Sequence, residues 1–168
     1  MDLVKVQTKL MGNMFEFIAL SDNERLGNEQ ITCAIDEVKR IEKLFTTFSD
    51  ESVTNEVNRN AGKKTVVVPD EFFYLVYRAQ KISMLTQGYF DLSYGSLDKD
   101  FWNFNQAMTK LPDPAEAKKS VHLIDYRNII LNKDDKTIFL RNKGMRIGFG
   151  GIGKGYAADC AKRIMVDA

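Results

Sequence analysis

Residues 146–159 read R-I-G-F-G-G-I-G-K-G-Y-A-A-D, with five glycines and one lysine packed between an apolar run (Met145, Ile147, Phe149) and a helical pattern. Strand, glycine turn and helix start make a geometry that binds phosphate. Glycines let the backbone approach an anion closely and take positive φ. The unpaired N–H groups of a helix's first turn point at such an anion, and the helix dipole favours it. Lys154 adds a mobile positive charge. Gly148, Gly150 and Gly153 satisfy the dinucleotide pattern G-x-G-x-x-G, and Gly148, Gly153 and Lys154 satisfy G-x-x-x-x-G-K, most of a P-loop. The P-loop needs Ser or Thr after its lysine, where Gly155 stands. The dinucleotide unit needs a second strand and an acidic residue about 20 residues further on, and Ala168 comes sooner. A glycine-rich strand-to-helix turn without a ligand is the third reading.

Three further clusters carry residue types with chemical use. Met11-Gly12-Asn13-Met14-Phe15 reads locally as a turn with a hydrophobic staple. Residues 44–52, L-F-T-T-F-S-D-E-S, with Asn55, Val57 and Asn58 following, read as a helix end and a polar loop. Gly88-Tyr89-Phe90-Asp91, then Ser93, Tyr94, Gly95, Leu97, Trp102 and Phe104, set aromatics among glycines around an aspartate. Such rings stack on a flat aromatic ligand while the carboxylate accepts hydrogen bonds, and core packing under a long loop is the competing reading. His122 is the only histidine and sits in an apolar, strand-like run, which reads as a structural residue. One histidine and no cysteine cluster disfavour zinc and Ser-His-Asp chemistry.

The elements that position these clusters follow from hydrophobic periodicity. A strand is expected from about Met14 to Leu20, then a polar turn from Ser21 to Asn28. Ile31, Ala34, Ile35, Val38, Ile41 and Leu44 keep helical spacing, so Glu29 to Phe45 is an amphipathic helix. A short helix is expected around Val53 to Asn58, and a strand over Thr65 to Val68. A second long helix opens at Pro69 and Asp70, with Asp70 as N-cap, and ends before Gly88. Leu111 to Ala115 is a proline loop. Asn128–Leu131 and Thr137–Leu140 flank a turn, and a helix from Lys154 to Val166 follows the glycines. Strands and helices mix without strict alternation. The expected class is α+β, a mixed α/β sheet packed against helices.

With 168 residues, 44% hydrophobic and 28% charged, the chain is one domain's worth of ordinary globular sequence. Its formal net charge is +1, with basic and acidic residues interspersed, which excludes a general nucleic-acid binder. No apolar run approaches the ~18 residues of a membrane span. The N-terminus carries no signal-peptide pattern; this fits a cytoplasmic protein and equally an envelope protein whose export signal was removed. Cys33 and Cys160 fall inside helical patterns and read as two buried thiols.

Taken in order, M-G-N-x-F, L-F-T-T-F-S-D-E-S with N-E-V-N, G-Y-F-D-L-S-Y-G-S-L, D-Y-R-N-I-I-L and G-G-I-G-K-G-Y-A-A-D resemble the N-terminal part of the ApbE-type FAD:protein FMN transferases, from Met11 to about Ala161. The resemblance implies an enzyme that binds FAD with magnesium and cleaves its pyrophosphate. FMN is then joined by a phosphoester to a threonine of an acceptor protein, such as a redox-complex subunit, and AMP is released. It implies FAD contacts at Met11, Phe48, Tyr89, Phe90, Asp91, Gly148 and Lys154, and a magnesium ligand at the Gly151 carbonyl; it names no catalytic residue. The glycines and Lys154 suit a pyrophosphate, and Phe48, Tyr89 and Phe90 suit adenine and isoalloxazine rings.

The chain departs from the family pattern in three places. Gly148 stands where D-L-x-x-I-x-K-G has its aspartate, which moves that contact to the backbone; Ser96 stands where G-P-L has its proline. The D-A-x-x-T motif that supplies magnesium carboxylates is not among these residues. The expectation is therefore the N-terminal portion of a single FAD-binding domain, inactive as 168 residues alone. Two alternatives are a non-catalytic FAD or nucleotide-binding module and an FAD pyrophosphatase that uses water as nucleophile.

Overall fold

The computed structural model describes residues 1–97 and 113–167. Trp102, Phe104 and the first residues of the expected proline loop lie outside them. The described residues fold as α+β, in two compact units: Met1–Thr46 with Ile152–Ala168, and Thr47–Gly151.

In the first unit, β1 (Asp2–Leu10) and β2 (Asn13–Ser21) form an antiparallel hairpin with Leu10 opposite Asn13. β1 is not among the expected elements, although its alternation of Val4, Val6, Thr8 and Leu10 with Lys5, Gln7 and Lys9 has a strand's period. Met11 and Gly12 form the two-residue turn at φ +50° and +76°, the backbone of a type I′ hairpin. The buried face of the hairpin carries Val4, Leu10, Phe17 and Ala19.

Helix α1 (Glu24–Phe45) begins five residues before the expected Glu29. Asn23 accounts for this: its side chain accepts from Leu26 N at 2.9 Å and caps the helix within the stretch read as a polar turn. Ile31, Ala34, Val38, Ile41 and Phe45 are buried. α1 packs against α5 (Gly153–Asp167), which buries Ala157, Cys160 and Ala161, and Phe45 meets Tyr156 edge-on at 5.9 Å. Cys33 is exposed while Cys160 is buried, so the reading of two buried thiols holds for Cys160 alone. Cys33 lies beside Thr32, on the solvated stripe of α1.

In the second unit, β3 (Val66–Val67), β4 (Ile129–Asn132) and β5 (Thr137–Leu140) form an antiparallel sheet in the order β3-β5-β4. α2 (Val53–Arg59) is capped by Ser52, whose hydroxyl accepts from Asn55 N at 3.1 Å. α3 (Asp70–Leu85) buries Phe72, Phe73, Leu75, Val76 and Ala79. Its N-cap is Pro69, with no side-chain cap bond; Asp70, the expected cap, is the first helical residue, where its charge still faces the positive end of the dipole. His122 is not in a strand. α4 (Pro114–Ser120) ends just before it, and the chain turns with Ile124 N donating to Val121 O at 3.0 Å, leaving His122 exposed.

Candidate functional site

Among the described residues the segment before the glycines belongs to no strand, which corrects the expected one. Met145, Ile147 and Phe149 are buried, with Phe149 edge-on to Phe72 at 5.2 Å. In place of a ladder, side chains and one loop carbonyl hold the backbone. The Ser96 hydroxyl accepts from Arg146 N at 2.8 Å and donates to Arg146 O at 3.0 Å. The Asn58 amide clamps Ile147 from both sides: its Oδ1 accepts from Ile147 N at 2.8 Å and its Nδ2 donates to Ile147 O at 3.1 Å. Gly148 N donates to Leu92 O at 3.0 Å, and Gly150 N donates to the Tyr94 hydroxyl at 3.0 Å. Asn58 is buried, so its four-centre match to a peptide group replaces the hydrogen bonds that a neighbouring strand would give.

The loop after α3 lies against this turn. Gly95 packs backbone to backbone: a Cβ there would stand 2.7 Å from the Ile147 carbonyl carbon and 2.9 Å from Gly148 N. Phe90 lies against Gly151, where a Cβ would be 3.2 Å from its ring. Asp91 holds the loop's own shape. Its Oδ1 accepts from Ser93 N at 2.8 Å and Ser93 Oγ at 2.6 Å, and its Oδ2 accepts from Tyr126 N at 2.8 Å. Ser93 Oγ in turn accepts from Asp125 N at 2.8 Å. The Arg127 guanidinium, bonded to Asp125 at 2.8 Å, holds the Asp125 carboxyl below the usual carboxylate range.

Four of the sequence-derived residues thus meet in one place in the second unit: Phe90, Asp91, Gly148 and Gly151. Tyr89, 96% exposed, precedes them on the same loop, and Phe48, 88% exposed, lies in the segment between α1 and α2. Met11 and Lys154 belong to the first unit, at the hairpin turn and in the first turn of α5. Asn58, Tyr94 and Ser96, which hold the turn, are not among the expected site residues. Asn58 and Ile147 are 89 residues apart, and a single sequence carries no sign of that pairing. The turn offers exposed glycine backbone at Gly150 and Gly151, a phenol and a half-buried aromatic ring.

A profile of the ApbE family matches residues 11–168, and the chain belongs to that family. It is 33% identical over 122 residues to the FAD:protein FMN transferase of Klebsiella pneumoniae (strain 342), a match covering 73% of this chain and 38% of the relative. The crystal structure of the ApbE protein of Thermotoga maritima superposes with a TM-score of 0.87 at 23% identity, over 99% of this chain and 53% of that one. The flavin transferase ApbE of Vibrio cholerae gives 0.79 at 17% identity, over 99% and 54%. At these identities the structures establish the shared fold. The chain spans about half the length of these structures, and less of the Klebsiella relative.

Proposed function

We propose that this chain is the FAD-binding N-terminal portion of a magnesium-dependent flavin transferase. The observation that carries the reading is family membership across residues 11–168, with a relative named for FMN transfer from FAD to protein. The braced glycine turn supports it, because a turn held by Asn58, Ser96 and Gly95 keeps its backbone oriented before a ligand arrives, which lowers the ordering cost of binding.

In this reading Lys154 and the glycine turn, through its exposed Gly150–Gly151 end with the Gly148 N–H kept by Leu92 O, hold the FAD pyrophosphate, while Phe48, Tyr89 and Phe90 hold its rings. Met11 is a further contact. Asp91 shapes the loop with three hydrogen bonds and keeps acceptor capacity for one more. The Gly151 carbonyl is a hard oxygen on an exposed turn, which fits one magnesium ligand, with phosphate oxygens, waters and carboxylates from beyond these residues completing the set. Magnesium, when bound, neutralises charge on the pyrophosphate oxygens. The acceptor threonine Oγ forms a bond to the FMN-side phosphorus, the P–O bond to AMP breaks, AMP departs with that electron pair, and the threonine proton is released.

The test is a product assay on the intact protein with FAD, magnesium and an acceptor peptide containing threonine. Flavinylated peptide with equimolar AMP is the expected result. FMN and AMP without peptide modification would favour the pyrophosphatase, and binding without products the FAD-holding module. FAD should also bind more tightly than riboflavin, since the glycine turn reads phosphate; equal calorimetric affinities would remove the turn from the site.

A further inference from the structure

We infer that the Tyr94 hydroxyl is a phosphate-binding group of the glycine turn, donating its O–H to a diphosphate oxygen of the dinucleotide; this rests on the FAD reading above. Three observations on this part of the second unit converge. First, the phenol oxygen accepts the Gly150 N–H at 3.0 Å, so that amide reaches an anion only through the phenol. A tyrosine hydroxyl that accepts one hydrogen bond still has its own proton to give. Second, the glycines make room for this ring. A Cβ on Gly148 would lie 3.6 Å from the Tyr94 hydroxyl, and one on Gly150 would overlap it. Part of the spacing that reads as a phosphate signature in the sequence is thus the seat of a tyrosine.

Third, Tyr94 is held by its backbone and is still partly exposed. Tyr94 N donates to Asp91 O at 3.2 Å, Leu97 N donates to Tyr94 O at 2.9 Å, and Gly95 fixes the loop against Ile147 and Gly148. The residue is nevertheless 41% exposed. A peptide N–H feeding a phenol O–H polarises that O–H, and an O–H aimed at an oxyanion makes a short, charge-assisted bond. The ligand class is a diphosphate ester.

The experiment is calorimetric titration of the intact protein and its Tyr94→Phe variant with three probes: FAD, ADP (the diphosphate without flavin) and riboflavin (the flavin without phosphate). Tyr94→Phe keeps the ring and removes one oxygen. FAD and ADP affinity should fall about tenfold or more, the usual worth of a charge-assisted hydrogen bond, while riboflavin affinity stays the same. Unchanged FAD affinity overturns the inference. So does tighter FAD binding, which would make the hydroxyl a competitor for the Gly150 amide, and so does an equal fall for riboflavin, which would make Tyr94 a packing residue. If the unsubstituted protein binds no FAD, the FAD reading fails and this inference with it; binding that is indifferent to Tyr94→Phe sinks only the inference. Gly150→Ala is the second variant. Its methyl group displaces the phenol, so it should lose FAD and ADP affinity in the same selective way, and normal FAD binding by it is a further refutation.

Discussion

Asp91 and Lys154 are both expected FAD contacts, yet their surroundings differ. The Asp91 oxygens receive three hydrogen bonds from the protein itself. Hydrogen bonds to a charged group each contribute about 1.5–3 kcal/mol, and removing the acceptor leaves the Ser93 and Tyr126 donors unmatched. Asp91→Ala should therefore lower unfolding free energy by roughly 3 kcal/mol or more in the absence of FAD, read by urea denaturation. A variant as stable as the parent would confine Asp91 to ligand binding. Lys154 is half-buried in the first turn of a helix, where a cation gains nothing from the dipole. Lys154→Ala should leave the fold intact and weaken FAD binding by about 1.5–3 kcal/mol, measured by calorimetry; unaltered affinity would remove Lys154 from the phosphate site.

Between residue and molecule, the loop after α3 and the turn before α5 act as one braced pair. Gly95 is where they touch, and the atoms a Cβ would meet there are backbone, which cannot swing aside. Overpacking costs about 1–3 kcal/mol, so Gly95→Ala should lower the melting temperature and weaken FAD binding together; a variant normal in both would show that the brace is dispensable. A second strap runs from Asp125, whose carboxyl is held low chiefly by its hydrogen bonds with Arg127. A depressed carboxyl pKa stabilises the fold above the unfolded-state value and loses that contribution as pH falls through the folded-state value. Titration by NMR should place Asp125 below the ordinary aspartate range, and Arg127→Ala should bring it back up. The stability at stake is small, because Arg127 is largely exposed. The long helices and the β4–β5 hairpin were legible because their signals are local: apolar spacing in α1 and α3, and an Asn-Lys-Asp-Asp turn. The clustering of Phe90, Asp91, Gly148 and Gly151 was legible only through motif order. The bracing of the turn was not, because Asn58, Tyr94 and Ser96 reach it across 89, 56 and 50 residues, and nothing local marks a side chain that substitutes for a strand.

For the molecule as a whole, the proposed magnesium site needs carboxylates that the glycine turn does not supply. Magnesium at a phosphoryl-transfer site is normally anchored by one or two carboxylates besides any carbonyl. Asp91 lies beside the turn, but three hydrogen bonds from Ser93 and Tyr126 hold its oxygens, and its one remaining acceptor position is the one assigned above to FAD. Asp159 is exposed on α5, five residues past Lys154. At about 1.5 Å of rise per residue it stands roughly 7 Å along the helix axis, away from a ligand at the N-terminal end. The matched relatives are longer: this chain covers 38% of the Klebsiella protein and 53% of the Thermotoga structure. Expressed as these 168 residues alone, the polypeptide should therefore transfer no FMN to a threonine peptide with FAD and magnesium present, by fluorescence of the separated peptide. Adding the part of the Klebsiella relative that lies beyond the matched region should restore some transfer if that part supplies the carboxylates. Robust transfer by the 168 residues unaided would place the full magnesium ligand set among them and overturn this assignment of the metal site.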